Sequence, residues 1–202
     1  MKRALLIGCG DQRGSDIIRG CQEANYKVTN IGSSVSALPS VKNIKIEWNS
    51  LDLITLHKIL KEIDHEVDFV FFNQNAATLS PTNFKHNNQK TIEIWGTVKS
   101  WTRSYWLSSQ LPYFMIETLG SRLHSKSKIG WMLSSFIDIN QNGVEEYPDY
   151  SGYKFTNYLI MKNFSKKYDC FGINPQFEKP DKIQPLIRDI CSNNKDCNGS
   201  IF

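Results

Sequence analysis

No run of apolar residues in this 202-residue chain approaches the roughly 18 needed to cross a bilayer, and Met1–Gly8 gives way to Gly and Asp too soon for a secretory leader. Five cysteines (Cys9, Cys21, Cys170, Cys191, Cys197) are odd in number and form no Cys-x-x-Cys pair, which argues for reduced thiols over a disulfide framework or a zinc site. His57, His65, His86 and His124 lack metal-ligand spacing, so no metal is expected. Long Ser, Gln or Pro tracts are also missing, which excludes a linker or a disordered chain. The 24 Lys+Arg against 20 Asp+Glu leave a net charge of +4 without any basic run, so nucleic acid is not an expected partner. What remains is a soluble cytoplasmic protein, 40% hydrophobic, with no membrane partner and enough core for a single domain over residues 1–202.

The apolar pattern alternates between strand and helix periods. Ala4–Ile7 is a short apolar run ended by glycines, after which Ile17, Ile18 and Cys21 have helical spacing. Lys27–Ile31 predicts a second strand, Ile44–Trp48 a third, and Leu53, Leu56, Ile59 and Leu60 a helical face. Val67–Phe72 is uninterrupted and rich in β-branched and aromatic residues, as a strand buried on both faces should be. Helical spacing runs from Thr91 to about Leu119 with a break at Pro112; Lys128–Leu133 follows as a strand, Gly152–Lys167 as a helix and Cys170–Ile173 as a strand. This order predicts an α/β chain: a Rossmann-like, doubly wound parallel sheet in three αβα layers, with ligands at the carboxyl ends of the strands.

The turn Gly8-Cys9-Gly10-Asp11-Gln12-Arg13-Gly14 lies between the first strand and the first helix, where glycine backbone and free helix N–H groups can receive a phosphate. A tight turn without a ligand would use the same glycines. The spacing fails Gly-x-Gly-x-x-Gly but contains Gly-x-x-x-Gly at Gly10 and Gly14. Leu6–Asp11 resembles the first motif of S-adenosylmethionine-dependent methyltransferases, whereas Cys9–Gly14 resembles the Thr-Gly-x-x-x-Gly turn of short-chain dehydrogenase/reductases. Both methyltransferases and NAD enzymes usually carry Asp or Glu after the second strand to hold ribose hydroxyls, and this chain has Gly32-Ser33-Ser34 there. The missing carboxylate removes a repulsion from a 2′-phosphate, and Arg13 offers it a charge-assisted bond, so NADP(H) is favoured with NAD(H) as the second choice. Arg13 as an ordinary solvated turn residue stays open.

Tyr150-Ser151-Gly152-Tyr153-Lys154 contains Tyr-x-x-x-Lys, which sets phenol and ammonium on one helical face. About 0.7 such pairs arise by chance in a chain of this composition, and Tyr158 with Lys162 forms a second one. Context favours the first: Pro148-Asp149 is a helix-start signal, and Leu133-Ser134-Ser135 ends the preceding strand. A lysine ammonium favours the phenolate, so Tyr150 could exchange a proton with a substrate oxygen that Ser135 holds by a hydrogen bond.

In family order these segments make the chain similar to the short-chain dehydrogenase/reductases over nearly its whole length. Asn49-Ser50-Leu51-Asp52 resembles their Asp-x-x-Asp-like segment by the adenine, Asn73-Gln74-Asn75-Ala76-Ala77 their Asn-Asn-Ala-Gly, and Asn174-Pro175 their Pro-Gly turn. The resemblance implies an oxidoreductase that moves hydride between a nicotinamide and a carbonyl or secondary alcohol, on a small or larger substrate. Ser135, Tyr150 and Lys154 would be catalytic. Gly8, Gly10, Arg13, Gly14, Ser33, Ser34, Asn49, Asn75, Ala76, Lys154 and Pro175 would hold the cofactor. It also implies a homo-oligomer through the family's fourth and fifth helices, here Thr91–Leu119 and Gly152–Lys167. The bulky Trp95, Trp101, Tyr105 and Trp106 suit either that contact or the core.

The departures bear on activity. Asp16 replaces the third glycine, where a carboxylate would repel a pyrophosphate unless it points away. Lys99 stands at the position of the family's catalytic asparagine, and almost nothing separates Phe177 from Pro180-Asp181, where the family has its substrate-covering loop. Such a site is open and wet. The alternatives are therefore a catalytically impaired protein that binds a nucleotide or a partner and, third, a methyltransferase.

Overall fold

The computed structural model describes residues 1–48, 51–73, 102–103, 105–134, 137, 148–175 and 180–202, with 148–150 and 180 as helical backbone only. Seven strands, β1 (Arg3–Ile7), β2 (Lys27–Gly32), β3 (Val41–Lys45), β4 (Phe69–Phe72), β5 (Lys128–Met132), β6 (Asp169–Ile173) and β7 (Ser200–Ile201), form one parallel sheet in the order β3-β2-β1-β4-β5-β6-β7. The order reverses between β1 and β4, the point at which crevices open at the carboxyl ends of a doubly wound sheet. One face carries α2 (Leu53–Lys61), α3 (Leu111–Leu119) and α4 (Pro148–Phe164); the other carries α1 (Gln12–Glu23) and α5 (Pro180–Cys191). The expected α/β, three-layer, doubly wound architecture is the one found.

Local chemistry explains the boundaries. Every side chain of β4 and β5 is buried, as central strands covered on both faces require, while the edge strand β3 has only exposed and half-buried residues. Helix α1 starts at Asp11, whose carboxylate accepts the Gly14 N–H at 2.6 Å, and α2 starts at Asp52, which accepts the Thr55 N–H at 2.6 Å. Lys58 and Lys61 complement the carboxyl end of α2. At the end of α1 the chain turns through Asn25, at φ 62°, and the Tyr26 N–H returns to the Cys21 carbonyl at 3.0 Å.

Two expectations need correction, the bounds of the third strand and the break at Pro112. The third strand is Val41–Lys45 and not Ile44–Trp48, because Val41 and Ile44 come into register with Val28 and Ile31 of β2; the polar half of an edge strand hides it from a search for apolar runs. No helix joins β2 to β3, since residues 33–40 make that crossover alone. Pro112 does not break its helix. It lacks the N–H that would bond four residues back, and the chain widens instead into a π-turn over Trp106–Gln110, where the Leu111 N–H reaches the Trp106 carbonyl.

The α1–α5 face of the sheet is built on an aromatic layer. Gly130 of β5 is in register with Phe71 of β4 and Phe171 of β6, whose rings lie 6.0 Å apart, with Phe69 also 6.0 Å from Phe171. A Cβ on Gly130 would overlap both flanking rings, so the glycine makes the space in which the phenylalanines meet. Gly130→Ala is expected to cost about 1–3 kcal/mol in urea unfolding; an unchanged midpoint would show slack in this layer.

Candidate active site

The carboxyl ends of β1, β2, β4, β5 and β6 bring together most of the described residues that the sequence singled out. Gly8–Gly14 follow β1, Ser33 and Ser34 follow β2, and Pro175 closes β6. Lys154 enters from the second turn of α4 and donates to the Met132 carbonyl at the end of β5, at 2.8 Å. Tyr150 lies one turn earlier in α4, but its side chain is outside the described residues, as are Asn49, Asn75, Ala76, Lys99 and Ser135.

The glycines of the turn have work inside the chain. Gly8 takes φ 75°, a left-handed conformation, and its N–H bonds the Ile31 carbonyl at 2.8 Å. A Cβ on Gly10 would overlap Ser34, and one on Gly14 would overlap the Cys9 backbone. Close packing of the turn against the loop after β2 and against the start of α1 therefore accounts for both residues, whatever the turn binds.

Two asparagines fix this turn to its neighbours. Asn30 of β2, 1% exposed, accepts the Cys9 N–H at 3.1 Å and donates to the Ser34 carbonyl at 3.4 Å and to Asn43 Oδ1 at 3.2 Å. Asn43 of β3 also accepts the Ser36 N–H at 3.0 Å and donates to the Ser36 carbonyl at 3.1 Å, which holds the helix-free crossover. Asn73, after β4, donates to the Gly8 carbonyl at 3.0 Å and to Asp11 Oδ1 at 3.2 Å. Sequence reasoning passed over Asn30, Asn43 and Asp11. The available signals were an asparagine inside a buried strand, where that residue is uncommon, and an aspartate in the N-cap position before Gly14.

The electrostatics favour an anion. Lys154 is 1% exposed, and its burial, with the Arg13 guanidinium adding repulsion, pulls its ammonium down to about 8. Arg13 itself is exposed, as are Ser33 and Ser34. Asp16 is the residue expected to obstruct a pyrophosphate, but it pairs with Arg19 along the helix, at 3.6 Å. The Cys9 thiol is pushed well up by burial, with Asp11 adding to it, so it is no nucleophile.

A nicotinamide dinucleotide suits this donor set. The amides of Gln12 and Arg13 open α1 and have no intrahelical acceptor, Arg13 and the two serines face outward, and no carboxylate ends β2. The Gly14 amide is the exception, being already taken by Asp11. Among the described residues no group of three or more His, Cys, Asp or Glu side chains could hold a metal ion, and no helix is long and apolar enough to cross a membrane.

Comparison with known structures places the fold. The chain is similar to a short chain dehydrogenase family protein from Francisella tularensis, at TM-score 0.78 and 15% identity over 100% of this chain and 96% of that one. It is also similar to a putative short-chain dehydrogenase/reductase from Burkholderia multivorans with bound NADP (TM-score 0.74, 15% identity, 98% and 94% covered). A carbonyl reductase from Pseudomonas aeruginosa in complex with NADP gives TM-score 0.72 and 10% identity over 100% and 94%. No family model and no curated protein matches the sequence. The fold is thus the Rossmann-like α/β fold of the short-chain dehydrogenase/reductases.

Asn30→Ala would leave the buried Cys9 amide and the Asn43 side chain without their shared partner. A loss of about 1–3 kcal/mol is expected in thermal or urea unfolding, with faster amide exchange at Cys9 and Ser36; unchanged exchange there would remove Asn30 from this role.

Proposed function

We infer that this protein is an NADP(H)-dependent oxidoreductase acting on a carbonyl or secondary alcohol. The observation that carries the reading is the Lys154 ammonium, buried at the end of β5 and held by a main-chain carbonyl, on the same helix as Tyr150 and beside the glycine turn. Its charge favours the phenolate of Tyr150, which exchanges a proton with the substrate oxygen while Ser135 holds that oxygen. When bound, the nicotinamide supplies or accepts the hydride. Arg13, Ser33, Ser34 and the first amides of α1 hold the phosphates and the adenosine ribose, with Asn49, Asn75, Ala76 and Pro175 completing the binding surface. Only residues 174–179 connect β6 to α5, a short stretch for a substrate cover, which supports a large substrate.

NADPH titrated into the protein and followed by tryptophan fluorescence is expected to saturate, with NADH weaker and S-adenosylmethionine silent; binding of S-adenosylmethionine alone overturns the reading. Because Lys154 is lowered to about 8, it is charged below that pH and neutral above it, so NADPH affinity should fall from pH 7 to pH 9. In Lys154→Met that dependence should flatten. Tyr150→Phe should keep binding and abolish turnover. NADPH binding without turnover of any carbonyl in the unaltered protein would favour the nucleotide-binding alternative.

The reading includes a second copy of the chain. Phe155 and Leu159 of α4 stand exposed beside an apolar groove of about 360 Å³ whose lining includes Trp106, Tyr113, Phe114, Thr156 and Ile160 and no charged residue. A knob beside its own hole on one surface is self-complementary about a two-fold axis. Leu159→Glu is expected to convert a dimer to a monomer in sedimentation; an unaltered protein that sediments as a monomer excludes the dimer.

A further inference from the structure

The face of the sheet that α2 covers changes character toward its amino end, and does so on three strands at once. Along β1 the side chains on that face read Arg3, Leu5, Ile7; along β2, Lys27, Thr29, Ile31; along β3, Lys42, Ile44. Arg3 is in register with Lys27, and Thr29 with Lys42, so three cations converge around one hydroxyl. They line a cleft of about 260 Å³ that Asp64 and His65 close from the loop after α2. Like charges on adjacent strands repel one another. Among the described residues none of the three cations has a carboxylate within 4.0 Å. Asp64 is bonded to His65 at 3.0 Å and feels the Arg3 charge from the rim, so one carboxylate faces the three cations, and Asp68 accepts the backbone N–H of Arg3 and not its guanidinium.

We propose that this cleft is a second anion site, which takes a phosphate or phosphate monoester between Arg3, Lys27 and Lys42 with the Thr29 hydroxyl as a neutral donor. A dianion removes the repulsion that the strand register imposes, and the guanidinium of Arg3 supplies paired donors where the lysines supply charge. The site is separate from the glycine turn: Arg3 and Gly8 lie at opposite ends of β1, about 16 Å apart at the rise of a parallel strand. It does not depend on the oxidoreductase reading.

The test is a titration of the 15N-labelled full chain with inorganic phosphate and, separately, glycerol phosphate, with ionic strength held constant by chloride. The amides of Arg3, Lys27, Thr29, Lys42 and His65 should shift and saturate, and the arm that saturates at lower concentration tells free phosphate from ester. The Lys27→Gln/Lys42→Gln pair should weaken binding at least tenfold, while any response of Gly8–Gly14 stays the same. Lys42→Gln alone, on the edge strand, should weaken it severalfold and serves if the double variant does not fold. Absence of saturable shifts at the cleft in both arms, or equal affinity in the variants, overturns the site.

Discussion

The candidate site depends on the hold that two asparagine side chains have on the turn after β1. A turn bearing three glycines in seven residues has little stiffness of its own. Asn30 from β2 and Asn73 from the end of β4 reach it from opposite sides, one accepting the Cys9 N–H and the other donating to the Gly8 carbonyl and to the Asp11 cap. Since β1 lies between β2 and β4 in the sheet, the turn is fixed to both neighbours by polar groups whose loss would take a partner from the Cys9 N–H and from the Gly8 carbonyl. The position of the α1 N-terminus, and of Arg13 upon it, follows from that hold.

The same network explains how β2 can pass to β3 without a helix. A crossover between parallel strands usually takes a dozen or more residues with a helix to bury. Here residues 33–40 suffice because Asn43 binds Ser36 in both directions, Leu38 packs on the α1–α5 core, and Gln22 of α1 donates to the Pro39 carbonyl at 2.7 Å. The loop is drawn back over the glycine turn as a result, which is why Ser34 meets the space that a side chain on Gly10 would need.

Much of this was legible in the residues, and the reason differs by element. The fully buried strands β4 and β5 declare themselves because burial on both faces demands an unbroken apolar run. The glycine turn was legible through spacing, which survives without tertiary knowledge, and Tyr150 and Lys154 fall on one helix as their spacing predicts, with the Tyr150 side chain outside the described residues. What escaped depends on contacts between distant residues: the edge strand β3 is set by register with β2, the π-turn by the demands of Pro112, and Asn30 by an amide 21 residues away. The pairing of Asp16 with Arg19 belongs to the same class: the sequence showed an ill-placed carboxylate, and only the helix geometry shows where it goes.

The described connections at the carboxyl edge of the sheet are short, and the buried ammonium beside them is firmly held. Residues 174–179 alone separate β6 from α5, and residues 33–40 alone separate β2 from β3. The Lys154 ammonium, by contrast, is fixed by a main-chain carbonyl of β5 and enclosed by protein before any ligand arrives. A charge oriented in advance costs no reorganisation when a neighbouring group changes its own charge.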